Sequence, residues 1–392
     1  MPVNFQQVQQ KIKLIGQIAP AEQKLIADRL ELARQLLAEN AHDLEELDAI
    51  RERATNLNKN LRCARPGSEA LTHQAPTPPL DTPIVLLAAD GSQINPDRHD
   101  QIEFGVINTG AFRLQPGSHE PPREIIRTEL LYGEELRSGA GPVTEEIVAM
   151  RRDSAERILL AELAAAETLP VVTLTDGQLE LYREPAQTQE FNELFEKYTD
   201  ALHELARLET VTAGFVDKPR ADLLIRLLEL VVLAGQGDLS QAGRLRPLQG
   251  VTDVALFRDL LQPGERSAVF GIQSRSAQSF EGELALHFFY LNVGRPERPW
   301  LARVEIPAWV AGSNILLDRL HSTLIDQCWQ LGSRPYPYAL HRAHEVAVVR
   351  FEEKEQLENM IILELLRQGV DVGEQSNKQY SKDISGNRTR YP

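Results

Sequence analysis

Two aspartates stand in the same local setting. The run Ile84-Val85-Leu86-Leu87-Ala88-Ala89 leads without a polar residue into Asp90-Gly91-Ser92, and the stretch from Pro170 to Thr175 leads into Asp176-Gly177-Gln178. A short apolar run stopped by turn-forming residues predicts a strand buried on both faces. A carboxylate at the C-terminal end of such a strand is presented at the open edge of the sheet, where α/β proteins place their sites. If the two strands lie side by side, the carboxylates meet, and neighbouring like charges are costly unless a cation neutralises them. A hard, oxygen-seeking ion such as Mg²⁺ or Mn²⁺ fits that need. The competing reading is that each Asp-Gly is a plain turn, since that dipeptide is common after strands. Its repetition in one context favours the metal site.

A third carboxylate is sought in the helix that precedes the second strand, where Glu156 and Glu162 both lie. From Pro170 to Asp176 a strand climbs about 20 Å at roughly 3.3 Å per residue. A helix packed antiparallel to it, rising about 1.5 Å per residue, covers that height in about 13 residues. Counted back from Thr168, this reaches Glu156 and leaves Glu162 about halfway down the sheet, so Glu156 is the expected ligand; the alternative is a solvated helix face. Further along, Tyr336-Pro337-Tyr338-Ala339-Leu340-His341-Arg342-Ala343-His344 places a proline at the entry to a helical stretch. Tyr336 and His344 could contact a metal-bound water, a phosphate or a leaving oxygen. A histidine beside apolar positions is also a common core residue, and His287 and His321 receive only that reading.

The elements that must position these groups follow from periodicity. Residues 5–62 carry apolar positions at helical spacing, predicting two amphipathic helices. Residues 64–83, rich in Pro, Gly, Ser and Thr, read as a linker. Strands are expected over 84–90, 103–110, 123–131, 170–175 and 211–216, and helices over 143–168, 189–208 and 221–234. Three more strand-like runs follow in 267–306, and helices occupy the chain from about 314 onward. Strands first, then strands alternating with helices, implies an α/β fold: an RNase H-like mixed sheet flanked by helices, with an N-terminal helical extension. The expected division is a helical extension over 1–63, a linker over 64–83, the main α/β domain over 84–373 and a polar, flexible tail over 374–392.

Composition narrows the function classes. The chain has 392 residues, 42% hydrophobic and 25% charged, typical of a globular protein. Its two cysteines, Cys63 and Cys328, fit neither a disulfide framework nor a paired-ligand zinc site. No apolar stretch is long enough to span a membrane and no signal-peptide plan opens the chain, so a cytoplasmic location is expected. There is no phosphate loop of the Gly-x-x-x-x-Gly-Lys-Ser/Thr type, which argues against ATP hydrolysis by this chain. The formal charge of −15 is unfavourable for gripping a phosphate backbone, so a partner or a locally basic surface is expected to supply the attraction.

From Ile84 to Lys378 the residues resemble the NurA nucleases. Ala89-Asp90-Gly91-Ser92 and Thr175-Asp176-Gly177 are similar to that family's first and second metal-binding aspartates. Tyr336-Pro337, Leu340 and Ala343-His344 are similar to its C-terminal Tyr/His motif. Phe215-Val216-Asp217-Lys218-Pro219, Ala302-Arg303-Val304-Glu305-Ile306-Pro307 and Ser376-Asn377-Lys378 share its character. Gln178 departs from the pattern, standing where a serine often follows the second Asp-Gly.

The resemblance implies a single-strand endonuclease and 5′-to-3′ exonuclease, preferring manganese, that processes single-stranded and duplex DNA ends in double-strand break repair. It also implies a homodimer working with a HerA-type hexameric ATPase. The expected chemistry is phosphodiester hydrolysis with two ions roughly 3.5–4 Å apart, held by Asp90, Glu156 and Asp176 with His344. Competing readings are a catalytically inactive scaffold for an ATPase and a metal phosphoesterase acting on small substrates.

Overall fold

The computed structural model describes residues 3–80, 83–138, 141–181, 188–370 and 372. Residues 374–392, expected to form a flexible tail, lie outside the described residues. The chain forms two compact units, neither of them contiguous: the first comprises Met1–Asp81, Gly177–Tyr182 and Ala213–Tyr336, the second Thr82–Asp176, Arg183–Thr212 and Pro337–Pro392.

In the first unit an antiparallel ladder runs from Cys63–Arg65 through Phe270–Gln273 and Leu286–Asn292 to Leu301–Pro307. The last of these pairs with Gly214, Phe215 and Val216. The segment read as a linker contributes here: Cys63–Arg65 lies on the sheet edge, and Gln74–Ala75 pairs with Arg266–Ser267. Its scattered prolines hid two strands too short to show a period. The helices Phe5–Glu39 and Leu44–Leu57, expected from periodicity, are present. Leu37, Leu47 and Ile50 from them join Leu224, Leu228, Phe257, Phe270 and Tyr290 in one core. Burying each such side chain is worth about 1.5–3 kcal/mol.

Two buried carboxylates organise the polar interior of this unit. Glu305 accepts hydrogen bonds from the Leu179 and Glu180 amides, at 2.9 and 3.3 Å, and from Arg303 Nη2 at 2.6 Å. Burial raises its pKa, and the Glu180 carboxylate pushes the same way. Arg303 and Glu305, two residues apart, share one face of their strand, which accounts for the polar alternation in Ala302–Pro307.

Asp253 accepts from the Leu224 and Ile225 amides, at 3.1 and 3.0 Å, and from Tyr290 Oη at 2.9 Å. It thereby satisfies two of the donors that the Leu223–Gln236 helix leaves open at its N-terminus. Burial pushes the Asp253 carboxyl from 3.8 to about 6.

The second unit is a mixed sheet. The Val85–Ile94 strand runs parallel to Val171–Asp176 and antiparallel to Gly105–Leu114, which in turn pairs with the exposed edge strand Arg123–Leu131. Helices Glu145–Ala165 and Gln189–Arg207 pack together, and the former lies on the Val85–Ile94 strand. The Tyr338–Ala347 helix packs on Val85–Ile94 and Gly105–Leu114. Val85 to Ala89 are fully buried, as expected for a strand covered on both faces.

Removing Asp253 orphans three donors. Asp253→Ala is expected to destabilise the protein by about 2–4 kcal/mol, read from denaturant midpoints. Because the folded pKa is raised, protonation favours the native state; that contribution is present below about 4 and lost as pH rises through about 6. Wild type should therefore gain stability relative to Asp253→Asn between pH 7 and 4. A difference independent of pH would contradict the buried carboxylate's role.

Candidate active site

The site is built from the register of one parallel ladder. Val85 pairs with Val171 and the pairing continues to Ala89 opposite Thr175. Asp90 and Asp176 are the next residues on the two strands, which run about 4.8 Å apart. Their surroundings differ. The Val171–Asp176 strand ends as expected, with Gly177 turning at φ 85° and donating its amide to Phe215 O at 2.8 Å. The first strand does not end at Asp90. It continues through Gly91 and Ser92 to Ile94, because Gly105–Leu114 supplies an antiparallel partner as far as Val106. Asp90-Gly91 is thus a mid-strand dipeptide, and the turn reading fails there.

Gly91 is required by packing. A Cβ at that position would lie 2.6 Å from Glu156 Oε1 and 2.5 Å from Arg152 Cγ. The Glu145–Ala165 helix therefore presses Glu156 and Arg152 directly onto the strand beside Asp90. The helix is placed by its Thr144 cap, whose hydroxyl accepts from the Ile147 amide, and by its buried face of Ile147, Val148, Leu159 and Leu160.

Glu156 itself is only 7% exposed. Burial raises its carboxyl pKa well above the usual range; Asp153 and Asp90 add to that push, while Arg152, 3.6 Å away, and Arg157 oppose it. Glu162, one and a half turns on, is half exposed and paired with Arg127 at 2.5 Å. The structure therefore brings Glu156, and not Glu162, to the level of Asp90.

Asp90 reaches the Tyr338–Ala347 helix, while its charge still bears on Glu156 and Arg152. Its Oδ1 accepts from the Gly91 amide at 2.8 Å, and its Oδ2 lies 2.6 Å from His344 Nδ1. Asp90 is opposite Gly110 in the antiparallel ladder, and a Cβ on Gly110 would meet Ala347 N at 2.7 Å and Ala343 O at 3.0 Å. The His344 helix thus lies backbone to backbone on the sheet. Its C-terminus is tied down by polar groups: Ala347 O accepts from Ser92 Oγ at 2.6 Å and Asn108 Nδ2 at 2.8 Å, and the Val349 amide donates back to Ser92 Oγ at 3.0 Å.

Ser92 and Asn108 are positioning residues that sequence reasoning missed. The signal was present in Asp90-Gly91-Ser92, but the serine was read as part of a turn. Tyr336 belongs to the first unit, where its ring packs edge-on against Phe215 at 5.6 Å between centroids.

Among the described residues no three His, Cys, Asp or Glu side chains converge as a metal centre. In kind, the donors fit a hard divalent cation: two aspartates in adjacent register and a glutamate whose charged form burial disfavours.

A model of the NurA domain matches residues 84–349. The chain belongs to the NurA family. The crystal structure of the NurA nuclease from Sulfolobus solfataricus is similar with a TM-score of 0.52 and 11% identity, over 92% of this chain and 98% of that one. The catalytic domain of human endonuclease V aligns with a TM-score of 0.36 and 14% identity, over 81% and 98%. LC9-RNase H1 aligns with a TM-score of 0.23 and 16% identity, over 47% and 89%. No curated protein sequence matches the chain. The fold is thus α/β, a mixed sheet flanked by helices, similar to that of the Sulfolobus NurA nuclease, and NurA membership supports a nuclease. No helix among the described residues is long and apolar enough to cross a membrane.

The close packing under the His344 helix yields a direct test. Gly110→Ala should displace that helix and destabilise the protein by about 1–3 kcal/mol, and Ser92→Ala should do so by a similar amount through its two lost hydrogen bonds. Unchanged unfolding midpoints in both variants would mean the helix is not held as described.

Proposed function

We propose that this NurA-family protein is a metal-dependent DNA nuclease, hydrolysing phosphodiester bonds at Asp90, Glu156 and Asp176. One observation carries the proposal: Asp90 and Asp176 occupy successive positions beyond a shared parallel ladder, with Glu156 pressed against the neighbouring Gly91. Mn²⁺ or Mg²⁺ held by these carboxylates would activate water and stabilise the leaving 3′-oxygen. Asp90 is oriented for ligation by the Gly91 amide and by His344. The imidazole, 62% exposed, is placed to steer a phosphate oxygen or a water and to move a proton there. Tyr336 is proposed to orient the scissile phosphate.

The finer reading follows the resemblance: single-strand endonuclease and 5′-to-3′ exonuclease activity on DNA ends in double-strand break repair, by a homodimer docked on a HerA-like ATPase. The charge of −15 supports the partner, because a polyanion is approached more readily when a second protein offsets the repulsion.

Digestion of end-labelled single- and double-stranded DNA in Mn²⁺, Mg²⁺ or EDTA tests the proposal. Asp90→Asn, Asp176→Asn and Glu156→Gln should each reduce cleavage by about a thousandfold or more, the scale of a lost metal ligand, with folding intact. Glu162→Gln should cleave normally. Near-normal cleavage by the aspartate variants at saturating Mn²⁺ would leave the scaffold reading in its place. For His344→Ala, a large loss of activity without a shift in melting temperature is expected; a lowered melting temperature with full activity per folded molecule would return His344 to a packing role.

A further inference from the structure

The first unit carries a group of cations that the acidic chain leaves without acidic partners. Most arginines in the ion pairs described above face a carboxylate. Lys218, Arg295 and Arg298 are exposed, and among the described residues none of the three forms an ion pair. They gather instead on two of the three tryptophans of the chain. Lys218 Nζ lies 5.2 Å and Arg298 Cζ 5.5 Å from the Trp300 ring centroid, and Arg295 Cζ lies 4.3 Å from that of Trp329.

Arg295 and Arg298 are directly opposed in a tight antiparallel bridge, joined by reciprocal backbone hydrogen bonds of 3.2 and 2.9 Å. Like charges facing each other across a β-pair are destabilising. The hairpin is nonetheless rigidly held. Val293 donates its amide to Trp300 O at 2.9 Å and accepts from Trp329 Nε1 at 3.2 Å, while Trp300 Nε1 donates to Asp217 at 2.7 Å. An arginine pair that forms no direct ion pair, although Glu297 lies in the turn between its members, stands beside indole rings and has the two features that bind single-stranded nucleic acid without sequence preference. Cations track the phosphates, and aromatic or guanidinium planes stack the bases.

We infer that the 295–298 hairpin, with Lys218, Trp300 and Trp329, is a binding platform for single-stranded DNA. This inference builds on the nuclease reading and gives it a substrate-holding surface apart from the carboxylates. It also answers the charge problem locally: a chain of net −15 can hold a strand where its cations are left unpaired.

Binding of a fluorescent 20-mer of thymidylate to the wild-type protein in EDTA, read by anisotropy across a salt series, tests it without any cleavage. Arg295→Gln/Arg298→Gln should weaken binding about tenfold and lower the slope of log K against log salt by about 1.4, two single-strand phosphate contacts at 0.7 each. Trp300→Ala should weaken it about tenfold and Trp300→Phe should restore most of the loss, since stacking is worth about that factor per base. If the hairpin serves folding alone, the variants will shift the melting temperature and leave the Kd per folded molecule unchanged. That result, no binding by wild type at low salt, or displacement by polyglutamate as effective as by unlabelled oligonucleotide, would each overturn the platform. A protein that binds through the hairpin but never cleaves would sink the nuclease reading and leave this one standing.

Discussion

The parallel pairing of Val85–Ile94 with Val171–Asp176 is the constraint on which the rest of the site depends. A slip of either strand by one residue would turn its side chains to the opposite face and separate Asp90 from Asp176. The register is protected because the paired stretches Val85–Ala89 and Val171–Thr175 are buried throughout, so a slip would have to repack apolar side chains on two faces at once. Thr173 adds a polar lock, its hydroxyl reaching Thr212 Oγ1 at 3.0 Å and Val211 O at 3.3 Å. Positioning of the acidic groups is thus a by-product of core packing.

The layers on either side of Asp90 are fixed by absence of side chain. Gly91 admits Glu156 and Arg152 from one helix, and Gly110 admits the backbone of the His344 helix. The Gly110 contact is to backbone and closer than any larger residue allows, while a side chain at Gly91 would displace Arg152 and Glu156. Polar ties complete the arrangement, since the last carbonyls of a helix need partners and Ser92 and Asn108 supply them at Ala347. Each carboxylate therefore sits in a setting with few degrees of freedom, and Glu156 remains buried beside negative neighbours.

Much of this was legible in the sequence. Long apolar runs announce buried strands, so the strand pairing of the two aspartates could be expected from Val85–Ala89 and Val171–Thr175. Simple rise per residue sets Glu156, rather than Glu162, at the height of Asp176. What could not be read depends on contacts distant along the chain. Asp90-Gly91-Ser92 has the composition of a turn, and only the antiparallel partner Gly105–Leu114 keeps it extended. Ser92 acts on Ala347, 255 residues away. The strands Cys63–Arg65 and Gln74–Ala75 are three and two residues long, too short for periodicity to register, and exist because Phe270–Gln273 and Arg266–Ser267 offer them edges.

The interleaving of the two units bears on how the protein is made. Each needs segments from three separated parts of the chain, and the second is incomplete until residues after Pro337 have emerged from the ribosome. Contacts of such long sequence separation close large loops before they return any stabilisation, which slows folding and leaves apolar strands uncovered in the meantime. During synthesis the run Val85–Ala89 emerges well before Val171–Asp176, its parallel partner. A nascent chain of this design has reason to engage chaperones early, and neither unit can be obtained by cutting the gene at a single point.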